Sequence, residues 1–332
     1  MTDTTEFKAW RVEESNGEYV GSEQTLSISD LPENEVLIKV SHSSLNYKDA
    51  LSASGNKGVT REFPHTPGID AAGEVVEASG GSLSKGDQVL VTGYDLGMNT
   101  DGGFGEYIRV PAAWCVPMPA GWDARKAMIY GTAGLTAGLC VKKLLTMGAK
   151  PEQGKVVVSG ASGAVGTVAV EILAGLGFDV VAVSGKAEHA ENLKKLGAGE
   201  VLGRDAFDPT KKPTLKPLFA NGIDTVGGAP LAEMLKQIQP GGSVSCCGLV
   251  AGPQLETTVM PFIIRGNSLL GVDSVQIPLA EKQAVWDRLA GDWACKETEA
   301  SARDIGRAEL DGALSAFLKG MSSGKIVLDH SR

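Results

Sequence analysis

The sequence predicts an α/β fold, in which a small barrel-type β domain precedes a doubly wound parallel sheet, and three observations predict it. The first third consists of short β-branched runs separated by Gly, Pro, Asp or Asn. At 155–166 an apolar strand runs straight into a glycine-rich turn that opens a helix. From about Asp123 onward, helical patterns alternate with buried strands.

In chain order, strands are expected at 35–40, 72–77, 88–92 and 106–110, each bounded by turn residues. The change of texture at Asp123 marks the start of the second domain. There the strand at 155–159 leads through the glycine turn to a helix at 167–176, which Gly177 stops before a strand at 179–184. Further strands are expected at 200–203, 222–226, 243–247 and 269–273. Helical patterns at 279–289 and 308–318 precede a last strand at 325–328, which is expected to return to the first domain. The domains are therefore drawn at 1–122 for substrate and catalysis, 123–275 for the nucleotide, and 276–332 for the returning segment. Neither an internal repeat nor a low-complexity segment interrupts them.

Composition narrows the function. A chain of 332 residues with 42% hydrophobic and 21% charged residues has enough apolar material for two cores. The net charge of -9, with Lys and Arg scattered along the chain, argues against nucleic-acid or anionic-membrane partners. No apolar stretch reaches membrane-span length, and residues 1–6 lack both parts of a signal peptide, so a soluble cytoplasmic protein is expected. Five cysteines without ligand or disulfide spacing agree with a reducing compartment. Cys246 and Cys247, adjacent in a strand-like run, point to opposite faces and read as core packing.

The glycine turn carries the chemistry. In Gly160-Ala161-Ser162-Gly163-Ala164-Val165-Gly166, Gly160 suits the tight turn, Gly163 admits an approaching diphosphate, and Gly166 allows close helix–strand packing. The diphosphate of a dinucleotide then sits at the helix N-terminus, where unpaired N–H groups and the dipole favour an anion. An Asp or Glu about 20 residues on would bind the adenosine ribose hydroxyls. Instead the second strand ends in Ser184-Gly185-Lys186, and Arg204 follows the next short strand. A cation in place of an acid suits a 2′-phosphate, so NADPH is expected over NADH.

The chain as a whole resembles the medium-chain dehydrogenase/reductase superfamily, which joins a GroES-like domain to a Rossmann domain. The blocks that carry the resemblance are NYKD at 46–49, PGIDAAGEV at 67–75, GGFGEYI at 102–108, GTAGLTA at 131–137 and the glycine turn. SSLNYKDAL at 43–51, DARKAM at 123–128, VSGK at 183–186, IDTVG at 223–227, TVMPFI at 258–263 and GVDSV at 271–275 are similar to the acryloyl-CoA reductase group of its quinone-oxidoreductase branch. The resemblance implies that Leu249, Ile263 and Ser274 line the nicotinamide half, and that Ser184, Gly185, Lys186 and Arg204 hold the adenosine phosphate end. At Gly324-Lys325 the chain departs from the Gly-Arg of the family, which puts a bidentate anion contact there in doubt.

Alcohol dehydrogenases of this superfamily use catalytic zinc, and here the ligand positions are lost. Leu45-Asn46-Tyr47 stands in place of the cysteine ligand and Gly68-Ile69-Asp70 in place of Gly-His-Glu; His42 and His65 lack a third ligand, and no thiol lies between Tyr94 and Cys115. No metal is expected. Without a Lewis acid, reduction of an activated C=C remains feasible, since it needs hydride delivery and stabilisation of an enolate. The expectation is NADPH-dependent reduction of an α,β-unsaturated acyl-CoA, acryloyl-CoA to propanoyl-CoA by resemblance. Tyr47 is the candidate hydrogen-bond or proton donor beside nicotinamide and substrate, oriented by Asn46. Lys57 and Arg61, in the loop at 55–64, and Lys325 are candidates for substrate anions. A general quinone or enal reductase and a non-catalytic NADPH-binding protein are the alternatives. The apolar strand at 268–274 is expected to be a sheet edge that pairs in a homodimer.

Overall fold

The computed structural model describes residues 5–79 and 82–332. It has two compact units: Met1–Thr132 with Ser274–Ala290 and Ser301–Arg332, and Ala133–Asp273 with Gly291–Ala300.

The first unit opens with an antiparallel hairpin, β1 (Glu6–Ser15) and β2 (Glu18–Ser27). Its two-residue turn is Asn16-Gly17, both at positive φ (55° and 82°), as a hairpin turn matched to strand twist requires. Strands β3 (Val36–Ser44), β4 (Asp70–Ala78), β5 (Gln88–Thr92), β6 (Tyr107–Val110) and β7 (Cys115–Pro117) follow, with a short helix α1 (Tyr47–Ala53) after β3. The alternate residues Val36, Ile38 and Val40 of β3 pack with Val75, Val89, Val91 and Ile108 in one core.

Helix α2 (Ala124–Thr146) is broken at Gly131, where φ is 51° and ψ -156°. Strand β8 (Val156–Ser159), helix α3 (Ala164–Gly175), β9 (Val180–Val183), α4 (Ala190–Lys195), β10 (Ala198–Leu202), β11 (Asn221–Asp224), α5 (Gly228–Gln237), β12 (Ser243–Cys246), α6 (Met260–Arg265) and β13 (Ser268–Gly271) belong to the second unit. They form one parallel sheet in the order β10-β9-β8-β11-β12-β13. Counted from β8, that is 3-2-1-4-5-6, the doubly wound order, whose reversal between β8 and β11 places a ligand site at their carboxyl ends. The central strands β8, β9 and β11 are buried along their length, which explains the apolar runs of β8 and β9.

Helix α7 (Leu279–Ala290) belongs to the first unit, and α8 (Lys296–Ser301) lies where the chain crosses from the second unit back to it. Strand β14 (Arg303–Ile305), helix α9 (Leu310–Leu318) and strand β15 (Ile326–Asp329) close the chain. Strand β15 pairs antiparallel with β3 and parallel with β14, so the C-terminal strand is part of the first unit's sheet.

Candidate active and nucleotide sites

In the second unit the glycine turn follows β8 directly. Gly160 has φ 59°, and the N–H of Gly163 closes the turn on the Gly160 carbonyl at 2.9 Å. A Cβ on Gly166 would lie 2.4 Å from the Gly160 oxygen and 2.7 Å from the Ala161 Cα, so only glycine fits there. Gly163 is the N-cap of α3, and the first N–H groups of that helix, beginning at Ala164 and Val165, have no helical acceptor. Ser162 and Ser184 hydroxyls meet at 2.9 Å, which ties the turn to the end of β9.

Beneath the turn lies support that sequence reading missed. The Thr225 hydroxyl donates to the Ser159 carbonyl, while buried Asp224 accepts from the Ser159 hydroxyl at 2.7 Å and the Gly227 N–H at 2.8 Å. Burial pushes the Asp224 carboxyl up, and these donors oppose the shift. An acid at the end of the apolar run of β11 was the available signal.

Beyond β9, a cavity of about 300 Å³ is lined by Ser184, Gly185, Lys186, Val201, Leu202 and Arg204. Thus four residues expected at the adenosine phosphate end share one cavity. The Ser184 hydroxyl accepts from the Lys186 N–H at 3.1 Å. Arg204 crosses Gly185 so closely that a Cβ there would sit 1.9 Å from its Nε. Leu249, in the loop after β12, is 59% exposed and Ile263, on α6, is 72% exposed. Ser274 is buried and belongs to the first unit, unlike the other two residues expected at the nicotinamide.

In the first unit the expected catalytic pair stands at the start of α1. Asn46 is the N-cap, with an extended backbone, and is buried; Tyr47 is the first helical residue and is 36% exposed. The Asn46 N–H donates to Asp49 at 2.7 Å, and its amide Nδ2 donates to Asp70 at 2.9 Å. Asp70 also accepts from the Ser44 hydroxyl, from the Thr132 N–H at 2.8 Å and from the Thr132 hydroxyl at 2.5 Å. Three of these donors converge on Oδ2 and one meets Oδ1. Gly131 makes this possible, because a Cβ there would lie 2.6 Å from Asp70 Oδ2. Asp49 is fully buried and accepts the Ile69 N–H as well; burial, then the charge of Asp70, pushes its carboxyl up to about 7. Sequence reading treated Asp70 only as standing at a lost metal-ligand position and gave Asp49 no role beyond its block at 46–49, although acids in apolar surroundings were visible.

The three residues expected to meet substrate are each engaged within the protein or exposed. Lys57 is committed to Glu14 at 3.1 Å and to the Arg61 carbonyl, and lies over the Tyr19 and Phe63 rings. Arg61 is exposed, its backbone N–H held by Asn99. Lys325 corrects the expectation of a substrate cation: it is 2% exposed, and its ammonium donates to the Tyr130 carbonyl at 3.0 Å. The Cys246–Cys247 pair is half-buried, and Cys247 donates to the Asp224 carbonyl at 3.6 Å.

The donor set does not fit zinc. Asn46 points its N–H groups at Asp70, and the Asp70 oxygens are taken by four donors. Among the described residues no three of His, Cys, Asp and Glu gather as ligands.

Comparison with known proteins places these sites in a family. Residues 32–120 match the alcohol dehydrogenase GroES-like domain, and residues 164–291 match the zinc-binding dehydrogenase domain. The chain belongs to the medium-chain dehydrogenase/reductase superfamily, with a GroES-like and a Rossmann-type domain. Within it, the chain belongs with the acrylyl-CoA reductases and quinone-oxidoreductase-like proteins. It is 45% identical to the probable acrylyl-CoA reductase AcuI of Escherichia coli, over 97% of this chain and 99% of that one. To the putative quinone oxidoreductase YhfP of Bacillus subtilis it is 42% identical, over 98% and 99%. The E. coli YhdH structure with bound NADPH superposes with a TM-score of 0.94 at 45% identity, covering 97% of this chain and 99% of that one. The B. subtilis yhfP structure with NAD bound gives 0.95 at 42%, covering 98% and 100%.

Proposed function

We propose that this enzyme reduces the C=C bond of an α,β-unsaturated acyl-CoA with NADPH, converting acryloyl-CoA to propanoyl-CoA. The observation that carries the reading is the cavity after β9, whose lining brings Lys186 and Arg204 together with Ser184 and includes no Asp or Glu at the end of β9. Such a lining favours a 2′-phosphate, because an acid there would repel it. The acyl-CoA substrate is supported by the near-full-length likeness to the E. coli reductase.

When bound, NADPH supplies the hydride for the β-carbon. The turn from Gly160 to Gly166 would hold its diphosphate and Ser184, Gly185, Lys186 and Arg204 its phosphorylated ribose; Leu249, Ile263 and Ser274 are the residues that the family resemblance implies for the nicotinamide half. As negative charge builds on the thioester oxygen, the Tyr47 hydroxyl donates to it or protonates the α-carbon. Asn46, pinned by Asp70, fixes the turn that presents Tyr47. No step requires a metal, and chelators are expected to leave the rate unchanged.

A general quinone or enal reductase is the second reading, favoured by the likeness to YhfP and by the engagement of Lys57 with Glu14. The deciding experiment compares NADPH oxidation with acryloyl-CoA, crotonoyl-CoA and a benzoquinone. Catalytic efficiency highest with acryloyl-CoA supports the first reading; turnover with the quinone alone contradicts it.

Among the described residues, strand β13 ends its sheet and pairs with β12 alone. Its half-buried Leu269 and Leu270 suit pairing across a two-fold axis, and the reading includes a homodimer. A monomer by light scattering at micromolar concentration would refute it. The cytoplasm is the proposed location, supported by five free thiols.

A further inference from the structure

Strands β9 and β10 pair in parallel with Val183 opposite Leu202, and just beyond them the Ser184 N–H donates to the Leu202 carbonyl at 3.0 Å. Continued past the strand ends, that register sets Arg204 beside Gly185. A Cβ on Gly185 would lie 1.9 Å from Arg204 Nε, 2.5 Å from Cζ and 2.7 Å from Cδ, so its three nearest neighbours all belong to one side chain. The arginine takes the room that a side chain at 185 would need. Gly185 is not among the glycines with left-handed φ, so alanine can adopt its backbone without strain. Arg204 itself is exposed, and among the described residues its guanidinium has no hydrogen bond or ion pair. The adjacent Asp205 carboxylate lies instead over Gly203, where a Cβ would sit 2.5 Å from Oδ1. An unpaired planar fork at the edge of this cavity suits a phosphate, which it can bind through two parallel hydrogen bonds.

We propose that Gly185 is a specificity-determining residue: its missing side chain lets Arg204 lie across the end of β9 to take the 2′-phosphate, and so sets the preference for NADPH over NADH. A side chain at 185 drives the guanidinium out of that position and leaves the diphosphate turn untouched. Alanine suffices, because Nε cannot stay 1.9 Å from a carbon atom. Since the effect passes through Arg204, it should vanish once Arg204 is already gone.

The inference rests on the proposed function for the cofactor alone, so the test measures binding without substrate. Calorimetry gives the affinities of NADPH, NADH, adenosine 2′,5′-bisphosphate and 5′-AMP for the wild type, Gly185→Ala, Arg204→Ala and the double variant. Arg204→Ala should weaken NADPH and the bisphosphate about 10- to 100-fold, and Gly185→Ala about tenfold, with NADH and AMP within about twofold in both. In the double variant, alanine at 185 should add less than about twofold to the loss caused by Arg204→Ala, as for two changes that act on one contact. Losses that multiply in the double variant overturn the inference, as does Gly185→Ala within twofold of wild type for NADPH. So does an equal loss of NADPH and NADH, which marks an obstructed nucleotide or an arginine that serves the adenine. Should Gly185→Ala fail to fold, the double variant, relieved of the clash, should fold and bind as Arg204→Ala does; a double variant that misfolds too overturns the inference. A wild type with equal affinity for NADPH and NADH removes the cofactor reading and the inference together, whereas a preference indifferent to residue 185 removes the inference alone. A wild type inert toward acryloyl-CoA that shows the expected pattern of binding counts against the reaction and supports the role of Gly185.

Discussion

The nucleotide site of the second unit and the Asn46 cluster of the first are built in opposite ways. Gly160, Gly163 and Gly166 act within seven residues, and Ser184, Lys186 and Arg204 follow close behind them in the chain. The Asn46 cluster takes Ser44, Asp49, Asp70 and Thr132 from β3, α1, β4 and α2, with Lys325 from just before the last strand. One site binds through backbone geometry that glycine spacing encodes; the other depends on buried charges that meet only after folding. Damage to the first should appear as lost affinity, and damage to the second as lost stability or turnover.

The largest expected effect is in the gathered site. Asp70→Ala leaves the amide of Asn46, the hydroxyl of Ser44 and both donors of Thr132 without this acceptor, and should cost about 3–5 kcal/mol of unfolding free energy. Urea unfolding without nucleotide measures it, and a loss below about 1 kcal/mol would break the comparison.

Gly166→Val is the counterpart in the local site. Its side chain meets the Gly160 and Ala161 backbone, which cannot give way, so NADPH affinity should fall on the order of 100-fold. Gly163→Ala sharpens the point: the added Cβ meets only the Gly160 oxygen at 3.2 Å, and its effect should stay below about tenfold. Fluorescence titration with NADPH reads both.

Lys186→Glu should have an effect comparable with or smaller than that of Gly166→Val. It sets like charge beside the 2′-phosphate and should weaken NADPH by about 1–3 kcal/mol while sparing NADH. Equal catalytic efficiency of the wild type with both cofactors would remove the basis for this role.

This contrast also explains what was legible in the sequence. The strand at 88–92 and the βαβ unit around Gly160 stand where the local pattern put them, because apolar run, turn and helix start are adjacent. The β1–β2 hairpin was missed although Asn16-Gly17 announces it, since the polar, exposed residues of β2 hide its alternation. Helix α2 was missed as one element because Gly131 breaks it for the sake of Asp70. Lys325 was read as a candidate for substrate anions because no local pattern shows that the strand it precedes joins β3 and carries it inward.

The proposed role of Tyr47 as hydrogen-bond or proton donor in the reduction is tested most directly by Tyr47→Phe. The substitution keeps the ring and removes only the hydroxyl. Turnover on acryloyl-CoA should drop roughly 100-fold, with NADPH affinity nearly unchanged and the solvent isotope effect altered. A Phe variant within twofold of wild type, with the same isotope effect, would contradict the account and pass the proton to solvent or the cofactor ribose.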